Sequence, residues 1–374
     1  YAGADIPFGA YYEAGVDGSR ESRGGGYSWL KDVWRDDSPE NTFSLDWEIR
    51  DFHNRLSTTS GIHLRLTMLS DEPMTEVAIA DAVPPQNGTN PDHLEYALVR
   101  RSGEPGMDTL FTTIIEPYQY DPLIASAELV DVRLVQGSET AQDRAAAIKT
   151  TLVTGRVDYI IYATNPDCTY EIDGAFNFRG FTGVVSYENG ILTYAWGCEA
   201  NLVADVIEDA KARVTGQVES FTEGIEDRYY LTVTMDSPVG AQELTGRYIY
   251  VNNDGERNAA YRIYDAEVSG NTAVLDLYSQ TLVREYVDEL NLDLGFKHNI
   301  AVGQTYSIPL SATFDVGELF HYTTDAVVKA GNKLNMTVGT GGATYEAEGL
   351  VTGMKLDAKT GTLTWTTSKT NIGK

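Results

Sequence analysis

The residue types that do acid–base or metal chemistry at neutral pH are sparse in this chain: five histidines and two cysteines among 374 residues. No two of the histidines lie within four positions of each other, and no Cys-x-x-Cys or Cys/His zinc spacing exists. His63 falls on the polar side of an alternating stretch and reads as a surface residue. His53 follows Asp51-Phe52, between Arg50 and Arg55, and reads as the border of a glycan groove or as plain surface. His93, His298 and His321 sit in turn-like contexts and carry no signal. Cys168 and Cys198 flank two strand-like runs rich in Tyr and Gly. In an oxidising compartment they are expected to form one disulfide, closing a loop of about 30 residues and stabilising by about 3 kcal/mol in the chain-entropy model. The alternative is two unrelated buried thiols.

Aromatics beside arginines offer a different chemistry. Tyr27, Trp29 and Trp34 cluster in a Gly-rich stretch with Arg20 and Arg23. Aromatic faces stack on sugar C–H faces, and a guanidinium pairs bidentately with a carboxylate, so these residues, with His53, are the candidate carbohydrate contacts. The alternative is that the tryptophans fill a sandwich core, as Trp47 and Trp365 are expected to do. Asn252, Asn253, Asp254 and Glu256 place oxygen ligands close together, a candidate Ca2+ site, although tight turns use the same residues. Gly24-Gly25-Gly26 has no Lys-Ser/Thr at the distance a phosphate loop requires.

Strands must position these groups. Ile62 to Met68 alternates strictly, Leu94 to Arg101 and Leu110 to Ile115 are further strands, and Val157 to Ala163 reads as a buried one. Phe181 to Glu188 and Ile191 to Trp196 form an expected hairpin around Asn189-Gly190. Thr140 to Lys149 and Leu202 to Arg213 are ambiguous between short helix and strand. After Gly216 four strands follow at short spacing, with Asn253-Asp254-Gly255 as a turn. A last unit begins near Asp315, with strands at Lys333 to Val338 and Gly361 to Thr367. The expected fold is all-β: a large β-sandwich over 1–215, a smaller sandwich or barrel over 216–315, and a partial immunoglobulin-like unit over 316–374.

Composition agrees. With 35 glycines and 23 tyrosines the chain leans toward turns and half-buried pleated surfaces. The formal charge of −27 excludes nucleic acid as a partner. It also opposes sulfated or uronic polymers unless local basic patches or bound cations intervene. No apolar run approaches the roughly 20 residues of a membrane span.

The strings DVWRDD, FSLDWEIRDFH, IHLRLTML, EVAIADAVPP, LEYALVRRSG and LFTTIIEPY, followed by GRVDYIIYA, LTGRYIYVNNDGERNAAYRI and VGQTYSIPLSA, together resemble the region after the catalytic toroid in heparinase II/III-like polysaccharide lyases, over about residues 7–313. YEAEGLVTGMKLDAKTGTLTW in the tail resembles the immunoglobulin-like repeats of bacterial surface proteins. The resemblance implies an extracellular or cell-surface bacterial protein. It also implies an elimination chemistry that needs Tyr and His as base and acid and a group to neutralise a uronate carboxylate. In the family most of these come from a helical toroid, for which this chain has no comparable run of amphipathic helices, and its early His-x-His-x-Asp type string is absent. The expectation is therefore a non-catalytic module that supports a toroid and contacts an acidic polysaccharide. The alternative is a structural subunit of an adhesin, sheath or filament, self-associating through an open sheet edge in the tail.

Overall fold

The computed structural model describes residues 4–5, 30–56, 59–82, 88–91, 94–316, 331–337 and 350–368. These are almost wholly β, as expected. No helix among them is long and apolar enough to cross a membrane.

The first unit comprises β1 (Ala4–Asp5), β2 (Leu30–Asp36), β3 (Phe43–Glu48), β4 (Ile62–Leu69), β5 (Glu76–Ala82), β6 (Leu94–Arg100) and β7 (Thr112–Gln119). They sort into two sheets, ordered β1-β2-β5-β6 and β3-β4-β7. Phe43, Leu45 and Met68 of one sheet pack with Val77, Ile79, Ala97 and Val99 of the other, while Ala78, Ala80 and Ala82 on the opposite face of β5 join Leu30, Val33 and Leu98 in a second cluster. The turn-rich segment Ser102 to Asp108 therefore carries the chain between sheets and closes no hairpin.

The second unit is a sandwich in its own right. Its strands are β8 (Ile124–Val130), β9 (Val132–Gln136), β10 (Ala145–Leu152), β11 (Val157–Ala163), β12 (Thr169–Ile172), β13 (Phe176–Arg179), β14 (Thr182–Glu188), β15 (Ile191–Cys198), β16 (Leu202–Val203) and β17 (Ile207–Glu208). The five-stranded sheet runs β17-β16-β13-β12-β9; opposite it lie β15-β14-β11-β10-β8. Tyr159, Ile161, Val185 and Ala195 from one side meet Tyr170, Ile172, Phe176 and Phe178 from the other in one core. β14 and β15 pair through Glu188 and Ile191. Their turn has Asn189 at φ 53° and Gly190 at φ 78°, the double positive φ that an Asn-Gly hairpin supplies cheaply. Both ambiguous segments resolve as extended: Ala145–Leu152 is a strand, and 202–213 holds two short strands and a connection. The Ala-rich helix propensity of 140–149 gives way because Ala147 fills the core between neighbouring strands.

The third unit contains β18 (Arg213–Phe221), β19 (Tyr230–Met235), a one-turn helix α1 (Ala241–Leu244), β20 (Tyr248–Val251), β21 (Ala260–Arg262), β22 (Asp265–Ser269), β23 (Thr272–Asp276), a two-stranded excursion β24 (Val283–Tyr286) and β25 (Phe296–His298), and β26 (Thr305–Pro309). Seven strands run in the order β21-β20-β26-β18-β19-β23-β22 around a single core that takes in Leu231, Ile249, Tyr306 and the fully buried Leu244 of α1. β27 (Ser311–Asp315) then returns to pair with β15, completing the six-stranded sheet of the second unit. The tail forms β28 (Lys333–Thr337), β29 (Lys355–Asp357) and β30 (Thr362–Thr366), ordered β28-β30-β29. Of its apolar residues Trp365 is buried, Leu334, Leu356 and Leu363 are half-buried and Leu350 is exposed.

Candidate functional site

The outer face of the five-stranded sheet in the second unit is concave and polar. Phe176 and Phe178 face the core, so Asn177 and Arg179 between and beyond them face out. Val203 and Ile207 face the core, so Leu202 and Glu208 face out. Arg179 stands opposite Leu202, and Leu202 opposite Glu208. Thr169 pairs with Gln136 at a register shift. Because Tyr170 pairs with Phe178, Thr169 lies beside Arg179. The result is a transverse row, Gln136–Thr169–Arg179–Leu202–Glu208, crossing four strand spacings, or about 19 Å. Together with Val135, Asn177, Asn201 and Asp209 these residues line a solvent-open cavity of about 420 Å³, within the size range of small-molecule sites.

Two groups in the cavity lack partners, one half-buried and one buried. The Arg179 guanidinium forms no ion pair or hydrogen bond among the described residues. Asn201 donates its backbone N–H to the Arg179 carbonyl at 3.1 Å, while its side-chain Oδ1 is buried and accepts nothing. A buried acceptor without a donor costs about 1–3 kcal/mol; a ligand hydroxyl or amide recovers it once the Asn201 side chain turns toward the cavity that the residue lines. In the wall from 199 to 209, Glu199, Ala204, Asp205 and Asp209 all have φ between 50° and 56°, a region that Asp tolerates but that is uncommon for Glu and Ala. Such departures concentrate at ligand sites. The groove thus presents a free fork of donors, three amides and two carboxylates, complementary to a hydroxylated ligand bearing a carboxylate.

A second cluster has the residue types of an elimination site. On the β3-β4-β7 sheet, Asp46 Oδ1 lies 2.8 Å from His63 Nδ1. Asp46 Oδ2 accepts from Arg65 Nε at 2.8 Å and from the Tyr118 hydroxyl at 2.7 Å. The His63 and Tyr118 rings stack at 5.1 Å. These four satisfy one another. Burial works to raise the Asp46 pKa, but the hydrogen bonds from Tyr118, His63 and Arg65 outweigh it and hold the carboxyl below its ordinary range. The bond to Asp46 raises the pKa of Tyr118, so this phenol keeps its proton and is poorly suited to act as a base. A depressed carboxylate contributes stability above its unfolded value, ordinarily 3.8, and loses it as pH falls through the lower folded value. Asp46→Asn is therefore expected to be less stable than wild type at pH 7. The difference should shrink only below about pH 4, as followed by urea melts across pH.

Trp34 is 48% exposed on β2, which removes the core alternative for it. Trp365 is buried and Trp47 packs partly against the first core. His53 is exposed in a loop and meets Phe52 edge-to-face at 5.1 Å. Neither Trp34 nor His53 is part of the groove. Tyr27, Trp29, Arg20 and Arg23 lie outside the described residues, as do His93 and His321. His298 is not in a turn: it ends β25 and meets the Glu223 carbonyl at 2.8 Å.

Two expectations need correction. The candidate Ca2+ residues form a turn closed on itself: Asn253 Oδ1 accepts from Gly255 N–H and Asp254 Oδ1 from Glu256 N–H. Asp254 and Glu256 both pair with Arg284, at 2.7 and 3.2 Å, so a guanidinium already supplies the positive charge. Among the described residues no cluster of His, Cys, Asp and Glu suits a metal. The disulfide is also absent: Cys168 and Cys198 are both free. Cys168 packs in the core with its thiol 3.5 Å from the Ser138 carbonyl. Gly197 faces inward toward Ala200 and Val203, so Cys198, one residue on, faces out of the sandwich.

Sequence reading missed the groove. The signal was present in Phe176-Asn177-Phe178-Arg179, whose alternation sends an amide and a guanidinium outward, but nothing local says that five strands make that face hollow. Comparisons with protein-family models, characterised proteins and solved structures gave no match to this chain.

Proposed function

We propose that this chain is a non-catalytic, glycan-contacting β-sandwich module of an extracellular or cell-surface protein, and that the groove around Arg179 receives an acidic polysaccharide. The observation that carries the reading is the unpaired Arg179 guanidinium beside the unsatisfied Asn201 Oδ1 in a cavity of about 420 Å³. A uronate offers a carboxylate to the first and, with the Asn201 side chain turned into the cavity, a hydroxyl donor to the second. In a chain of net charge −27, Arg179 is the cation in a groove whose lining also holds Glu208 and Asp209, so a ligand carboxylate sits on the Arg179 side while Glu208 and Asp209 accept from sugar hydroxyls. Parentage in a heparinase II/III-like polysaccharide lyase, with catalysis carried by another domain, is supported by the sequence resemblance alone.

The non-catalytic part rests on the His63–Asp46–Arg65–Tyr118 network, whose acid, base and cation are committed to one another on an open sheet face. Incubation with alginate or heparin is expected to give no rise in the ultraviolet absorbance of unsaturated uronate. A rise abolished by Tyr118→Phe or His63→Ala would contradict it. For binding, affinity electrophoresis through alginate gels should retard the wild-type chain. Arg179→Gln should weaken the interaction at least about tenfold, the order expected for losing a charge-assisted pair. Equal retardation of the two proteins would refute the groove.

A further inference from the structure

The third unit carries an exposed ridge in which two adjacent tyrosines are flanked by arginines. The Arg262 guanidinium lies over the Tyr264 ring, 5.0 Å from its centre. Tyr264 and Tyr278 follow with centroids 5.3 Å apart and planes tilted by 44°. Arg228 lies over Tyr278 at 5.7 Å. The two tyrosines are 44% and 51% exposed. Arg228 donates from Nε to Asp276 at 2.8 Å, which holds it in place and neutralises it. Arg262 is exposed, and its guanidinium has no carboxylate partner among the described residues.

Tyr278 adds an independent observation. Its φ is +54°, a backbone conformation that is a genuine outlier for a bulky residue. It is locked there from both sides: its N–H donates to Asp276 Oδ1 at 2.8 Å, and its carbonyl accepts from Tyr229 N–H at 2.8 Å. A glycine would make the same two backbone bonds without strain. The ring is half exposed, and its contacts are with Tyr264 and Arg228 of the same ridge rather than with the core of the unit, so core packing does not explain why a tyrosine stands at this strained place. Presentation of its face does.

We propose that the Arg262–Tyr264–Tyr278–Arg228 ridge is a second binding surface, for an anionic glycan. The tyrosine faces take the C–H faces of successive sugars, and Arg262 takes a carboxylate or sulfate. The ridge extends the glycan reading to a different unit of the fold and rests on that reading only for the class of ligand. Its residues do not enter the groove, so the two surfaces fail separately.

The test compares the full chain with Tyr278→Gly, Arg262→Gln and Arg179→Gln by affinity electrophoresis in alginate, heparin and dextran. Melting temperatures are measured alongside. Tyr278→Gly is expected to melt at or above the wild-type temperature, because strain is released, while its affinity for the anionic polymer falls at least about tenfold. Arg262→Gln should weaken binding comparably and flatten its salt dependence. Preference for alginate assigns the anion as carboxylate, and preference for heparin as sulfate; equal retardation by dextran overturns the anionic assignment. If Tyr278→Gly and Arg262→Gln bind as wild type while Arg179→Gln does not, the ridge is refuted and the groove stands. The reverse pattern keeps the ridge and removes the groove. A wild-type chain retarded by none of the polymers removes both. If Tyr278→Gly melts well below wild type, the tyrosine is structural, and unchanged binding by Arg262→Gln then refutes the ridge.

Discussion

Gly216→Ala is expected to destabilise the third unit by about 3 kcal/mol or more, the upper end of overpacking costs. Gly216 lies within β18 and pairs with Met235 on one side and Tyr306 on the other. A Cβ there would sit 1.8 Å from the Thr234 carbonyl oxygen and 2.8 Å from its carbon. Both are backbone atoms of the adjacent strand, so no rotamer change relieves the clash, and the strands must separate in a core that contains Leu231, Val233 and Tyr306. Urea unfolding followed by tyrosine fluorescence should show an early transition for this unit. Gly224→Ala is the control: its Cβ would meet only the Glu226 side chain, at 3.4 Å or more, and its stability should stay within about 0.5 kcal/mol of wild type. Equal stability of Gly216→Ala and wild type would mean that β18 and β19 do not approach as described.

Phe178→Ala is the second large effect, expected at about 3–5 kcal/mol. Phe178 is fully buried between the two sheets of the second unit. Gly183 is small because of it: a Cβ there would come within 2.6 Å of the Phe178 ring. Truncation leaves a cavity directly behind the groove floor, since Asn177 and Arg179 flank Phe178 on β13. The variant should therefore lose glycan affinity as well as stability, although it removes no group facing the ligand. Unfolding in denaturant and gel retardation measure the two losses on the same preparation. Full retention of binding would separate the groove from the core beneath it.

Much of this was legible in the sequence where the cause is local. Asn189-Gly190 specifies its hairpin because both residues tolerate positive φ. The alternation of Ile62 to Met68 appears as strand β4, and Val157 to Ala163, read as a buried strand, appears as β11 with Ile160 and Tyr162 on an exposed face. What the sequence hid is non-local. β27 joins β15, more than a hundred residues earlier, and no periodicity in Ser311–Asp315 announces that partner. The region expected to be one large sandwich divides into two sheet pairs because β7 pairs with β4, while β8 starts a new sheet with β10. The groove was missed for the same reason. Arg179, Asn201 and Glu208 are unremarkable singly and meet only because β13 and β17 and the bend leading into β16 bring them together. Cys198 faces outward because Gly197 takes the inward position, a matter of one residue of register that the Cys spacing does not encode.

The central claim is that the Arg179 groove receives a uronate chain. Amide NMR of the full chain titrated with alginate oligosaccharides tests it most directly. Saturable shifts should appear at Asn177, Arg179, Asn201, Glu208 and Asp209, and should vanish from those residues in Arg179→Gln while the rest of the spectrum stays folded. Groove amides that stay unshifted at every ligand concentration, or that shift identically in Arg179→Gln, would contradict the account.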